Sequence, residues 1–228
     1  MDLGHWPLFG LRVRTERLEL RPADDDDLSA LASAAAAGIH GPDAMPFSVP
    51  WSEQPPGVLE RGVVQHGWKV RAGWTVGAWS LPLAVVVDGA VVGSQDVFGR
   101  DFLVTRQVET GSWLTRAAQG RGLGKEMRSA ALALAFTGLG AEHAVTGAFV
   151  DNATSLGVTR SLGYEPDGVE VRARTGRPVQ LLRFRMDRAG WDARTRPDVT
   201  ITGLEPCLPM FGLAPDRTPL PDVVEPMI

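Results

Sequence analysis

Residues 119–124 of the chain read Gln119-Gly120-Arg121-Gly122-Leu123-Gly124. Three glycines at alternate positions let the main chain close on a bulky anion with no Cβ in the way. A strand-like run, 108–114, precedes them. A helical pattern follows, with Leu123, Met127, Ala131, Leu134 and Ala135 on one face. Free amides at the start of a helix point outward, and the helix dipole adds to their pull on negative charge. This is a phosphate cradle made of backbone. Two better-known phosphate loops do not fit. A P-loop would need glycine at Gln119 and Ser or Thr at Glu126; a dinucleotide fingerprint starting at Gly120 would need glycine at Lys125. A plain tight turn between strand and helix would also use these glycines.

The loop needs a frame to hold it. The chain has 228 residues, 44% hydrophobic and 22% charged, enough for one domain with a proper core. Its net charge of −4 lends no support to a nucleic-acid partner. Cys207 is the one cysteine, which excludes an internal disulfide and a cysteine-based metal site. Met1 to Pro7 has neither the basic start nor the apolar run of a signal peptide. No stretch approaches the roughly 20 apolar residues that cross a bilayer. The expected location is the cytoplasm, with no membrane partner.

Residues 11–21 alternate in strand fashion up to Pro22. Asp24 to Asp27 then open an alanine-rich helix. Helix capping and the dipole account for the four aspartates, and nothing supplies the geometry of a calcium loop. Residues 38–80 are loop-rich, with a helix within 57–70, and carry Trp51, Trp68, Trp74 and Trp79 as pocket lining or core. Segments 83–87 and 90–97 flank the hairpin turn Asp88-Gly89, and 108–114 completes an antiparallel meander. A helix over 123–137 follows, with Lys125, Arg128 and Ser129 off its apolar face. Then come a strand at 142–150, a helix at 153–162 and a hairpin of 169–174 with 179–186. The strand–helix–strand unit 108–150 requires parallel strands. The fold class is α/β, a mixed and mostly antiparallel sheet flanked by helices.

In this order the pieces resemble the GNAT acyltransferases. Gln-x-x-Gly-x-Gly is similar to the family's acyl-CoA pyrophosphate loop. Glu109-Thr110-Gly111-Ser112-Trp113-Leu114, Asn152-Ala153-Thr154-Ser155, Leu162-Gly163-Tyr164 and the opening Arg14-Thr15-Glu16-Arg17-Leu18-Glu19-Leu20-Arg21 resemble its RimJ/RimL branch. The resemblance covers residues 11–190 as an acyltransferase domain and leaves 191–228 as a C-terminal appendage. It implies six to seven strands with a V-shaped splay between the fourth and fifth, here 108–114 and 142–150. It implies acetyl-CoA or another acyl-CoA as cosubstrate, an amine as acceptor and no metal. Backbone groups of Trp113 and Leu114 would bond the pantetheine. Amides of Gln119, Gly120, Arg121, Gly122, Leu123 and Gly124 would hold the pyrophosphate. Asn152 would bond the pantetheine arm near the thioester.

Acyl transfer needs a neutral amine, a polarised carbonyl and a way for the thiolate to leave. Many family members protonate the thiolate with a tyrosine four residues before the glycine of the Leu-Gly-aromatic ending. That position is Thr159 here. Ser155, one helical turn earlier, is the candidate acid, with helix capping as its bland alternative. Glu109 is the candidate base, placed by alternation on one strand face with Gly111 and Trp113; Asp96 is its rival. Succinyl-CoA is an alternative donor, with Arg100 or Arg106 as the cation for its carboxylate. A catalytically silent acyl-CoA sensor is the alternative from another class. Protein N-termini, lysines and small amines all stand as acceptors. Residues 189–228 are too apolar for a free tail. Either the chain's own core or a second subunit must cover them, which makes a homo-oligomer the expected state.

Overall fold

The computed structural model describes residues 4–220. Among the described residues, nine strands form one sheet in the order β7-β8-β6-β5-β4-β3-β2-β1-β9. The expected count of six to seven strands is too low by a split and an addition. The run 11–21 is not one strand but a hairpin, β1 (Arg12–Arg14) and β2 (Glu19–Pro22). Thr15 makes the turn: its amide donates to the Leu18 carbonyl at 3.0 Å, and its hydroxyl accepts from the Leu18 amide at 3.2 Å. The addition is β9 (Thr200–Thr202), which pairs antiparallel with β1.

Helix α1 (Asp25–Ala36) starts where the aspartates demand it, with the Asp24 carboxylate accepting from the Asp27 amide. Helix α2 (Val58–Ala72) packs beside it. Strands β3 (Ala78–Val87) and β4 (Ala90–Arg100) meet at Asp88 and Gly89, both at positive φ, as a tight primed turn requires. A short turn of helix, α3 (Phe102–Thr105), leads into β5 (Gln107–Leu114). Helix α4 (Leu123–Ala133) continues as a π-helical turn to Gly138 and crosses to β6 (His143–Phe149), parallel to β5. Then come α5 (Ala153–Leu162), the hairpin of β7 (Glu165–Arg174) with β8 (Arg177–Asp187), and α6 (Arg188–Asp192). No described helix is long and apolar enough to cross a membrane.

The main core lies between the sheet and α4, with Leu20, Leu83, Val97, Val108, Leu132 and Phe136 fully buried. Beyond β9 a 3₁₀ segment (Glu205–Phe211) folds back onto the same core. Cys207, Leu208, Phe211 and Leu213 are each 0% exposed. Phe211 stands edge-on to Trp74 and Trp79, at 5.3 and 4.9 Å between ring centroids. The apolar part of the tail up to Leu213 is thus covered by its own chain. Residues 221–228 of the appendage lie outside the described residues.

Candidate active site

Strands β5 and β6 pair only at Gln107↔His143, Val108↔Ala144 and Glu109↔Val145. Beyond Glu109 they diverge, and the Thr146 hydroxyl donates to the Thr110 carbonyl at 3.1 Å across the fork. This is the expected V-shaped splay, between the fifth and sixth strands because the first strand is a hairpin. It opens into a cleft of about 1300 Å³. In a strand the backbone groups point alternately to the two edges. The Trp113 carbonyl lies against Gly93 of β4, so close that a Cβ on Gly93 would sit 2.2 Å from it. The open edge therefore belongs to Ser112 and Leu114, and the Leu114 carbonyl already accepts from Gln119 Nε2 at 2.9 Å.

The glycine loop closes one end of the cleft. Gly120 and Gly122 have φ of +73° and +80°, a backbone region that side chains strain. Among the described residues, the amides of Gly120, Arg121, Gly122, Leu123 and Gly124 donate to no protein acceptor. The buried Leu123 side chain anchors the helix start beneath them. These free amides fit a pyrophosphate, which needs donors and no intruding Cβ. Gln119 differs. Its amide donates to Arg116 at 3.3 Å, and its side chain braces the loop by donating to the carbonyls of Ile39 and Leu114. Arg17 was missed from sequence. It donates to the Arg121 carbonyl at 3.0 Å and pairs with Glu126, so it ties the loop to the first turn of α4 and to the β1–β2 turn.

Helix α5 starts on the other wall. Asn152 caps it, its side-chain oxygen accepting from the Ser155 amide at 3.1 Å. The capping role considered for Ser155 is thus performed by Asn152. The Ser155 hydroxyl has no protein partner among the described residues and borders the cleft. Asn152, Ser155, Glu109, Trp113, Leu114, Gln119 and Gly124 all line this one cavity.

The face toward α1 and α2 carries acid and aromatic groups. In the β4–β5 register, Ser94 is opposite Trp113, Asp96 opposite Gly111 and Phe98 opposite Glu109. Directly opposed residues share a face. Asp96 therefore stands over a position without a side chain, and its carboxyl opens to the cleft. Burial pushes its pKa up to about 6, against the opposing pull of the Ser94 hydroxyl, which donates to it at 2.5 Å. Glu109 is exposed at the rim. Trp51 and Trp113 stand 5.9 Å apart, with Phe47 5.0 Å from Trp51, as an aromatic wall. Trp51 is thus a cleft residue, whereas Trp74 and Trp79 belong to the core and Trp68 lies half-exposed on α2.

Two expectations about charge are corrected. Arg106 does not border the cleft: its guanidinium donates to the Arg217 carbonyl at 3.0 Å, and Arg100 is exposed elsewhere. Arg128 and Ser129 are not on an outer face of α4. They are 5% and 1% exposed. Arg128 turns inward because two hydroxyls meet it: Nη1 donates to Thr159 and Nη2 to Ser112, both at 3.0 Å.

A splayed parallel pair, an amide-lined glycine turn and a polar cleft between them define an acyl-CoA transferase of the GNAT class. The chain belongs to that family: the model described as an acetyltransferase (GNAT) domain matches residues 17–165. It is accordingly an acyltransferase. Solved structures agree on the fold at low identity. Mycobacterium smegmatis RimJ, in complex with CoA-disulfide, is 16% identical with a TM-score of 0.62, over 88% of this chain and 92% of that one. RimL, the ribosomal L7/L12 alpha-N-protein acetyltransferase in complex with coenzyme A, is 16% identical with a TM-score of 0.62, over 76% and 95%. A spermidine N-acetyltransferase SpeG chimera from Vibrio cholerae and hSSAT gives the same identity and TM-score over 78% and 100%.

Proposed function

We propose that the chain moves an acyl group, acetyl first, from a CoA thioester to an amine. The observation that carries this is the open β5 edge beyond Glu109, facing a glycine loop with five amides that lack protein acceptors. The loop holds the pyrophosphate, the Ser112–Leu114 edge guides the pantetheine, and the Asn152 side chain steadies the arm. The amine enters from the α1–α2 side, along the Phe47, Trp51 and Trp113 wall. Glu109 at the rim draws a cationic amine, which sheds one proton to water as it enters. The neutral nitrogen then bonds the thioester carbon, Asp96 takes the second proton from that nitrogen, the carbon–sulfur bond breaks, and the electron pair leaves on sulfur beside the Ser155 hydroxyl.

A succinyl donor needs a cation in the cleft for its free carboxylate. Arg61 and Arg172 border the cleft and would serve; acetyl needs neither. The acceptor is an amine of a protein N-terminus, a lysine or a small molecule. We place the reaction in the cytoplasm, the reduced compartment that a lone buried thiol suits. The homo-oligomer expected from the tail loses its main reason, since the tail completes its own core. Sedimentation at micromolar concentration checks this. A screen of acetyl-CoA and succinyl-CoA against peptide and polyamine acceptors, read by free-thiol release, tests the reading. Thiol release from neither donor with any amine would overturn it.

A further inference from the structure

Arg128 is a formal charge in a place where charge is costly. None of the ion pairs among the described residues includes it. Two neutral hydroxyls hold its Nη atoms, and its Nε is buried without an acceptor. The Thr110 hydroxyl and Tyr164 phenol, buried in the same region, also lack well-formed hydrogen bonds. A buried guanidinium without a counter-charge costs several kcal/mol. A fold that keeps one gains where an anion arrives during its work.

The position says which anion. Arg128 borders the cleft together with Ser112, Gly124, Thr146 and Ser155, on the side where β5 and α5 enclose the donor arm. Its partner Thr159 occupies the position at which many relatives carry an acidic tyrosine. Ser155 lies one helical turn from Thr159 on the same face of α5. Neither hydroxyl can give up a proton readily, so the sulfur must leave as thiolate. The other arginines on the cleft, Arg61 and Arg172, are exposed.

We propose that Arg128 supplies, across Thr159 and Ser112, the positive charge that stabilises the departing CoA thiolate in place of a proton-donating tyrosine. This rests on the acyl-CoA reading above. A fixed charge in a poorly solvated site stabilises developing charge strongly, with no reorganisation during the step. The amine proton goes to Asp96, the carbon–sulfur electron pair stays on sulfur, and the thiolate takes its proton from water after release.

The test is the affinity of CoA against desulfo-CoA, which lacks the sulfur, measured by calorimetry from pH 6 to 9. The other ionisable groups of the cleft are Asp43, Asp96, Glu109, Asp151, His40, His66 and the exposed Arg61 and Arg172, with Tyr164 behind Arg128. Negative charges would disfavour the thiolate, so a preference for it reports a cation. Wild-type protein should favour CoA increasingly with pH, by about tenfold for each unit by which the bound thiol pKa falls. Arg128→Met should bind both ligands equally at every pH, lower kcat with little change in KM for the donor, and melt no lower than wild type. Arg128→Lys should keep part of the preference. If Arg128→Met does not fold, Arg128→Gln against Arg128→Lys makes the same comparison. A flat ratio in wild type, or one that the loss of the charge leaves unmoved, overturns the proposal. Failure of wild type to bind either ligand would instead overturn the acyl-CoA reading itself.

Discussion

Asp96 and Gly111 face each other across β4 and β5, and the absence of a side chain at Gly111 leaves the Asp96 carboxyl open to the cleft. The same pairing puts Phe98 beside Gly111: a Cβ there would meet the Phe98 ring at 3.3 Å. The carboxyl thus lies near the Phe98 ring, accepts from Ser94 and still borders the cleft, which suits a proton acceptor near neutrality.

The pH dependence follows from that carboxyl. Asp96 accepts a proton only when ionised, and burial sets its pKa near 6. The value of kcat/KM should rise as pH passes upward through about 6. Asp96→Asn should remove that limb and most of the rate, whereas Glu109→Gln should chiefly raise KM for a cationic amine. A stability effect of opposite sense accompanies it. Because the folded pKa is raised, ionisation disfavours the folded state as pH climbs above the unfolded value. Asp96→Asn should therefore melt higher than wild type at pH 8, with the difference fading below pH 4. An Asp96→Asn enzyme with an unchanged pH profile would return the base role to Glu109.

Gly122→Val tests the anion cradle. Valine strains at a φ of +80°, at a cost of about 1–3 kcal/mol, and displaces the amides that face the donor. The loop lies outside the core, so the fold should survive. Calorimetry should find CoA affinity abolished; unchanged affinity in a folded variant would remove the loop from the donor site.

Ser155→Ala deletes a hydroxyl that no described residue occupies. A hydrogen bond to a charged partner contributes about 1.5–3 kcal/mol, so kcat should fall about 10- to 100-fold while KM for acyl-CoA barely moves. A change confined to KM would make Ser155 a binding residue.

Phe211→Ala tests the closing of the core by the tail. Removing a buried phenylalanine costs about 3–5 kcal/mol. The ring stands edge-on to the stacked pair Trp74 and Trp79, so thermal melting followed by tryptophan fluorescence should report a large drop. Truncation after Trp191 should go further and yield aggregating protein, because it uncovers both indoles.

Local signals in the sequence were reliable where geometry is local. The aspartate cap of α1, the Asp88-Gly89 turn, the glycine loop and the parallel β5–α4–β6 unit all rest on neighbours in sequence. The hairpin β1–β2 was hidden because no glycine or proline marks the turn; its trace is a change of phase, from Leu11 and Val13 before Thr15 to Leu18 and Leu20 after it. Helical periodicity puts Arg128 off the apolar face of α4. What brings it inside is Ser112 on one element and Thr159 on another, a meeting no periodicity reveals. What covers the tail was hidden for the same reason: its apolar surface was plain, but its partners Trp74 and Trp79 lie more than a hundred residues upstream.

The Gln119 side chain ties the Ile39 carbonyl, just beyond α1, to the Leu114 carbonyl at the end of β5. A second tie runs parallel, from the Arg116 amide to the Gly38 carbonyl at 3.0 Å. The root of the aromatic wall and the root of the glycine loop are therefore one mechanical unit. A donor on the loop and an acceptor seated against Phe47 and Trp51 would meet through this strut, and any coupling carried by it is reciprocal. Cutting the strut with Gln119→Ala should make the two bind as strangers.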